Sequence, residues 1–275
     1  MINSIKVKNI GISIIVFISI IFFIIGGNSM PINIDTLSVA SLYLIVKNGE
    51  SFLGTATGFI VKHDDTNYLI TNWHVLSGRN PGTNEVIHST GAAPREVLIW
   101  HHGETLGQWK LKSEQLYNES GEKRWIEHDL GRNIDIVALP LKNLPNDVKI
   151  YPFDLSLVNS NIQTEMAMTV SIIGFPHGLA AGGRFPIWKT GHIASEPRLD
   201  FEGKPVFLID ATTRAGMSGS PVIIRSKGTY RNRKGDRVIS SGFITRFLGV
   251  YSGRLSGDTE IGYVWKPHLI EEILK

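Results

Sequence analysis

Six consecutive residues, Gly216-Met217-Ser218-Gly219-Ser220-Pro221, place a serine between two glycines on a turn that runs into the apolar triplet Val222-Ile223-Ile224. Glycine accepts backbone angles closed to other residues, so such a turn can aim several N–H groups at one point beside a hydroxyl nucleophile. Alone, the hexapeptide reads equally well as an ordinary glycine turn. Two upstream residues supply what an active serine would need. His74 closes a strand-like run that begins at Tyr68, and imidazole is the side chain that exchanges protons near neutral pH. A lone histidine in that position is also a common structural residue. Asp135 is the single acid in the otherwise apolar stretch from Ile134 to Leu139. A carboxylate buried there is costly unless a donor or a positive charge meets it, and a histidine N–H is a sufficient partner. Asp129 sits in polar sequence and needs none.

The elements that must position these groups are short and β-rich. Apolar runs at 41–46, 58–61, 68–71, 97–100, 134–139, 168–173, 206–209, 222–224, 242–245 and 247–251 read as strands. Turn residues separate them, notably Asn48-Gly49 and the polar stretch from His63 to Asn67. Convincing helical periodicity is confined to few segments, one being the tail. There Pro267 suits a first turn, and Leu269, Ile270, Ile273 and Leu274 make one face. No internal repeat or long linker is present. The pattern predicts an all-β, enzyme-sized domain over 36–275 with a carboxy-terminal helix.

Taken in order, His74, Asp135 and Ser218 are a base, an orienting acid and a nucleophile, and here the chain resembles the chymotrypsin/trypsin-like serine proteases. Thr71-Asn72-Trp73-His74-Val75 resembles the family's histidine motif. The stretch from Asp135 to Leu139 resembles its aspartate motif, and the hexapeptide around Ser218 its serine motif. Stretches at 54–61, 173–178 with 190–194, and 210–218 are similar to the disulfide-free bacterial branch that includes HtrA-type proteases. The likeness runs from about residue 40 to 255. It implies two packed six-stranded antiparallel β-barrels, at approximately 36–150 and 151–275, and a serine endopeptidase acting on protein or peptide substrates. It also implies an oxyanion hole from the backbone N–H groups of Gly216 and Ser218, and a primary specificity pocket at Thr212, Ser252 and Gly253. An uncharged Thr212 at the base of that pocket predicts small or medium uncharged residues at the cleaved position. Met217 stands where zymogen-type members carry an aspartate that pairs with a freshly cut amino terminus, so that route of activation is not expected. The 57 residues after Ser218 leave no room for a PDZ-like module after the second barrel. An α/β-hydrolase esterase using Ser218, Asp258 and His268 is a rival, but Ser220 breaks the G-x-S-x-G pattern and no βαβ alternation surrounds it. A catalytically silent, protease-like binding protein is the other.

Composition sets the remaining bounds. The chain is 275 residues, 42% hydrophobic, with a net charge of +3, too small to imply a nucleic-acid partner. Much of the excess is local, since Arg225, Lys227, Arg231, Arg233, Lys234 and Arg237 face only Asp236 in the same stretch. That stretch reads as a solvated loop. With no cysteine, thiol catalysis and disulfides are excluded. The histidines, His101-His102 and His128 included, lack ligand spacing, so neither a metal nor another cofactor is expected. At the amino terminus, Lys6 and Lys8 precede an apolar run over 10–27. This predicts a transmembrane signal anchor within residues 1–29, with the catalytic domain on the periplasmic or outer face of a bacterial membrane. Cleavage as a signal peptide, releasing a mature protein, is the alternative.

Overall fold

The computed structural model describes residues 34–275, so the expected anchor over 10–27 lies outside the described residues. Among those described, no helix is long and apolar enough to cross a membrane.

A short helix, α1 (Thr36–Ala40), leads into the first sheet. The sheet comprises β1 (Ser41–Asn48), β2 (Ser51–His63), β3 (Thr66–Thr71), β4 (Glu96–Gly103), β5 (Trp109–Gln115), β6 (Ile126–Glu127), β7 (Val137–Leu141) and β8 (Val148–Lys149), with helix α2 (Trp73–Ser77) after β3. The second half comprises β9 (Thr169–Gly174), β10 (Ile187–Ile193), β11 (Val206–Asp210), β12 (Pro221–Arg231), β13 (Arg237–Arg254) and β14 (Ile261–Trp265), followed by helix α3 (His268–Ile273). The fold is all-β with few helices, and the tail helix forms with Leu269, Ile270, Ile273 and Leu274 buried.

The second half closes as a six-stranded antiparallel barrel in the order β10-β11-β14-β13-β12-β9. The expected first six-stranded barrel is instead an eight-stranded sheet, ordered β5-β4-β1-β2-β3-β7-β6 with β8 against β4. Its two ends meet through an irregular hairpin, by the Tyr117↔Lys123 bridge and the Arg124 N–H to Leu116 C=O bond of 2.9 Å. The polar turn between them leaves β6 only two residues long.

Period-two alternation sorts the apolar side chains into three cores. Ala56, Ile60, Leu69, Val137 and Leu139 point into the first sheet's own core. Their neighbours Phe59, Val61, Ile70 and Ala138 point to the seam, where they meet Ile173, Val206, Ile223 and Phe247 of the second barrel. Val170, Ile172, Val222 and Ile224 fill the second barrel. Strands buried on both faces read in sequence as unbroken apolar runs, which is why they are the legible ones. At the seam Phe153 lies between Phe59 and Phe247, with ring centroids 4.9 and 4.7 Å away.

Four placements differ from expectation. Asp135 precedes β7 instead of lying within a strand, and His74 sits in α2 rather than at a strand end. The basic stretch after Arg225 is no loop, since it forms the outer part of the β12–β13 hairpin, and the two strands expected at 242–251 are one, β13. Arginine and lysine stems tolerate a solvated strand face, so their charge hid the ladder.

Candidate active site

The acid is fixed first. Asp135 is 2% exposed, and its carboxylate accepts three bonds. The backbone N–H of His74 reaches Oδ1 at 2.8 Å, while His74 Nδ1 and the Ser252 hydroxyl reach Oδ2 at 2.7 and 2.5 Å. These bonds answer the demand a buried carboxylate makes, and they turn the chain away from the ladder just before β7. Asn72 holds the same residue from behind, donating its side-chain amide to the Asp135 carbonyl at 2.6 Å. The His74 N–H, orphaned in the first turn of α2, thus gains its partner from across the sheet.

His74 keeps a fifth of its side chain exposed. Burial pulls its pKa down, but the Asp135 charge and hydrogen bond outweigh that and raise it above the ordinary 6.5. With Nδ1 committed to Asp135, Nε2 is the nitrogen left to exchange protons.

Ser218 lies on the turn between β11 and β12, pinned on both sides. Gly219 N–H donates to Tyr251 C=O and Tyr251 N–H to Ser220 C=O, both at 2.9 Å. From the first sheet, Thr57 N–H donates to Ser218 C=O at 2.9 Å and the Thr57 hydroxyl to Gly216 C=O at 2.8 Å. The same hydroxyl accepts from Phe175 N–H at 3.1 Å. Gly216 and Gly219 have φ of +93° and +86°, and a Cβ would fall 2.3 Å from Phe175 O or 2.0 Å from Thr57 O respectively. Only glycine fits either place.

Between Gly216 and Ser220, two N–H groups, those of Gly216 and Ser218, donate to no protein acceptor among the described residues. In a trans peptide the N–H points opposite the preceding carbonyl. Ala215 C=O is held by His177 N–H at 2.6 Å and Met217 C=O by Ser220 N–H at 3.0 Å, so each free N–H points away from the group bonded to the preceding carbonyl. Met217 itself is buried in the second barrel's core.

His74, Gly216 and Ser218 line one cavity of about 720 Å³, whose other walls include Phe52, Leu53 and Ile87. The Ser218 hydroxyl donates to Ser252 C=O at 2.8 Å, and it makes no hydrogen bond to His74 among the described residues. Of the expected specificity residues, Thr212 is exposed, and neither it, Ser252 nor Gly253 lines this cavity. Ser252 bonds Asp135 through its hydroxyl and accepts from Ser218 through its carbonyl. Arg214 is engaged by Glu260 at 3.3 Å and by the Thr213 carbonyl at 2.7 Å. The rival esterase set does not assemble, since His268 lines a different cavity from Ser218. Thr57 was not singled out in the sequence, because the partners of its hydroxyl lie on distant segments.

The trypsin-like peptidase domain family matches residues 56–230. Among solved structures, the active form of the Rv3671c protease from M. tuberculosis is 18% identical, with 86% of this chain and 80% of that chain covered and a TM-score of 0.46. The serine endoprotease from Yersinia pestis is 14% identical over 86% of this chain and 62% of that one, less than two thirds of its length, at a TM-score of 0.49. The protease Anisep from Arthrobacter nicotinovorans is 14% identical over 87% and 95%, also at 0.49. Among curated proteins nothing matches. With the family match spanning more than half of its length, the chain belongs to the trypsin-like peptidase family and is a serine endopeptidase.

Proposed function

We propose that Ser218, His74 and Asp135 hydrolyse peptide bonds by acyl transfer. Ser218 Oγ turns about χ1 from the Ser252 carbonyl toward His74 and attacks the scissile carbonyl, while Nε2 takes its proton. Asp135 keeps the remaining proton on Nδ1 and stabilises the imidazolium as it forms. The Gly216 and Ser218 N–H groups receive the oxyanion. His74 then protonates the leaving amine, water enters, and the same proton transfers in reverse release the acid product. The observation that carries this reading is the double bond-pair from Asp135 to the His74 backbone and ring, beside a serine on the same cavity wall. A fluorophosphonate probe should label the chain covalently, and Ser218→Ala should abolish labelling. Labelling that persists in that variant, or none in the parent, refutes the assignment.

The substrate is a protein or peptide with an uncharged residue at the cleaved position. In support, Thr212, expected at the base of the specificity pocket, carries no charge to neutralise a basic side chain, and among the described residues no carboxylate lines the cavity beside Ser218. A tether through residues 10–27 is supported by their composition and by Lys6 and Lys8. A carbonate wash should leave the chain in the membrane, whereas a soluble form beginning at Met30 would mean signal cleavage.

A further inference from the structure

A second cavity, about 470 Å³, lies on the carboxy-terminal barrel and shares no lining residue with the one that holds His74 and Ser218. Its apolar part is Phe207, Phe247 and Leu248, and its charged part is Arg198, Arg233 and Arg246. Among the described residues, no aspartate or glutamate lines it. The partners these arginines do have leave the charge unbalanced. Arg246 donates to the Ile162 carbonyl at 2.5 Å and Arg233 to the Val158 carbonyl at 2.9 Å. Arg198 approaches Glu196 at only 3.8 Å, through exposed groups where an ion pair contributes little. Lys266, also at the rim, is committed to Asp200 at 2.6 Å.

Like charges gathered in a partly desolvated recess oppose one another. Burial, then Arg233 and Arg198, bring the Arg246 guanidinium down to about 10. That still leaves it fully charged at neutral pH, so the repulsion stands unless an anion enters. The Thr164 hydroxyl on the same wall is buried and has no partner among the described residues. Guanidinium forks match carboxylate and phosphate oxygens, and the apolar floor has room for a hydrocarbon body.

We propose that this cavity is a binding site for an amphiphilic oxyanion, its carboxylate or phosphate head held by Arg198, Arg233 and Arg246 and its apolar chain laid over Phe207, Phe247 and Leu248. The site is separate from the peptidase chemistry and independent of how that chemistry is assigned.

Titration calorimetry of the full chain with hexyl phosphate tests it. Binding should be tighter than for inorganic phosphate, which lacks the apolar part, and roughly tenfold or more weaker in Arg246→Gln and in Arg198→Gln, since each removes a charge-assisted bond. Lys234→Gln, a cation at the tip of the same hairpin but outside the cavity, should bind as the parent does. Among the described residues the Arg198 side chain makes no polar contact closer than its 3.8 Å approach to Glu196, so that variant decides the matter should Arg246→Gln fail to fold. A lipid headgroup and a free alkyl acid share this chemistry. Phosphatidylglycerol vesicles displace hexyl phosphate if the source is lipid and fail to if it is a soluble acid, and either result keeps the site. Absence of hexyl phosphate binding, or an equal loss in Lys234→Gln, overturns it.

Discussion

Thr57→Val isolates the strut beneath the nucleophile turn. Valine matches threonine in shape, and Thr57 is 0% exposed, so the substitution opens no cavity and removes only the hydroxyl. Two buried groups lose their partner at once: the Gly216 carbonyl, bonded at 2.8 Å, and the Phe175 N–H, at 3.1 Å. Each orphaned group costs about 1–3 kcal/mol, giving about 2–6 kcal/mol, against a total stability on the order of 5–15 kcal/mol for a domain. The effect on turnover is separate. The Gly216 carbonyl follows directly on the Gly216 N–H, so releasing it lets that donor swing away from the oxyanion, and loss of one such donor costs on the order of 10²–10³ in kcat. KM should change little, because the donor acts on charge that develops only in the transition state. Thr57→Ser retains both bonds and should retain most activity. Urea unfolding and peptide hydrolysis read the two effects independently. A Thr57→Val enzyme with parental kcat and stability would refute the reasoning.

Asp135→Asn should lower kcat by on the order of 10⁴, by presenting an amide that fixes the wrong imidazole tautomer, whereas Asp129→Asn should be near parental; the reverse ranking in a peptide assay would reassign the acid. The raised His74 pKa places the acid limb of kcat/KM above pH 6.5, with rate rising as the imidazole loses its proton. In Asp135→Asn the residual activity should show that limb displaced downward, because burial then acts without the opposing charge; a limb that stays in place would refute this. His101 is 1% exposed, both its ring nitrogens lack a partner among the described residues, and burial, His102 and Lys112 hold its pKa down to about 4. The unfolded state takes up that proton near pH 6.5, so stability should fall between there and about pH 4, by roughly 3 kcal/mol. Urea midpoints should show His101→Phe losing much of this dependence. A peptide library should show cleavage after small or medium uncharged residues, and efficient cleavage after lysine or arginine would refute that specificity.

What could be read from the sequence was whatever violated its own surroundings. Asp135 stands out as an acid in an apolar run, and Ser218 as a hydroxyl among glycines. The seam strands stand out as apolar on both faces, which is how Phe59 and Ile60 serve different cores from adjacent positions. β10 and the outer half of β13 were missed because each has a solvated face, and Lys189, Thr190 and Arg237 look like loop residues until their partners are known. Thr57 was invisible for a different reason. Its partners Phe175 and Gly216 lie 118 and 159 residues away, so nothing local distinguishes its hydroxyl from any strand threonine. Ser252 was named for the specificity pocket, but its bond to Asp135, across 117 residues, was hidden for the same reason. The chemistry-bearing side chains are therefore locally conspicuous, while the groups that hold them in register are set by closure of the seam between the two halves. A substitution at that seam should reach the active site without touching any of its three principal side chains.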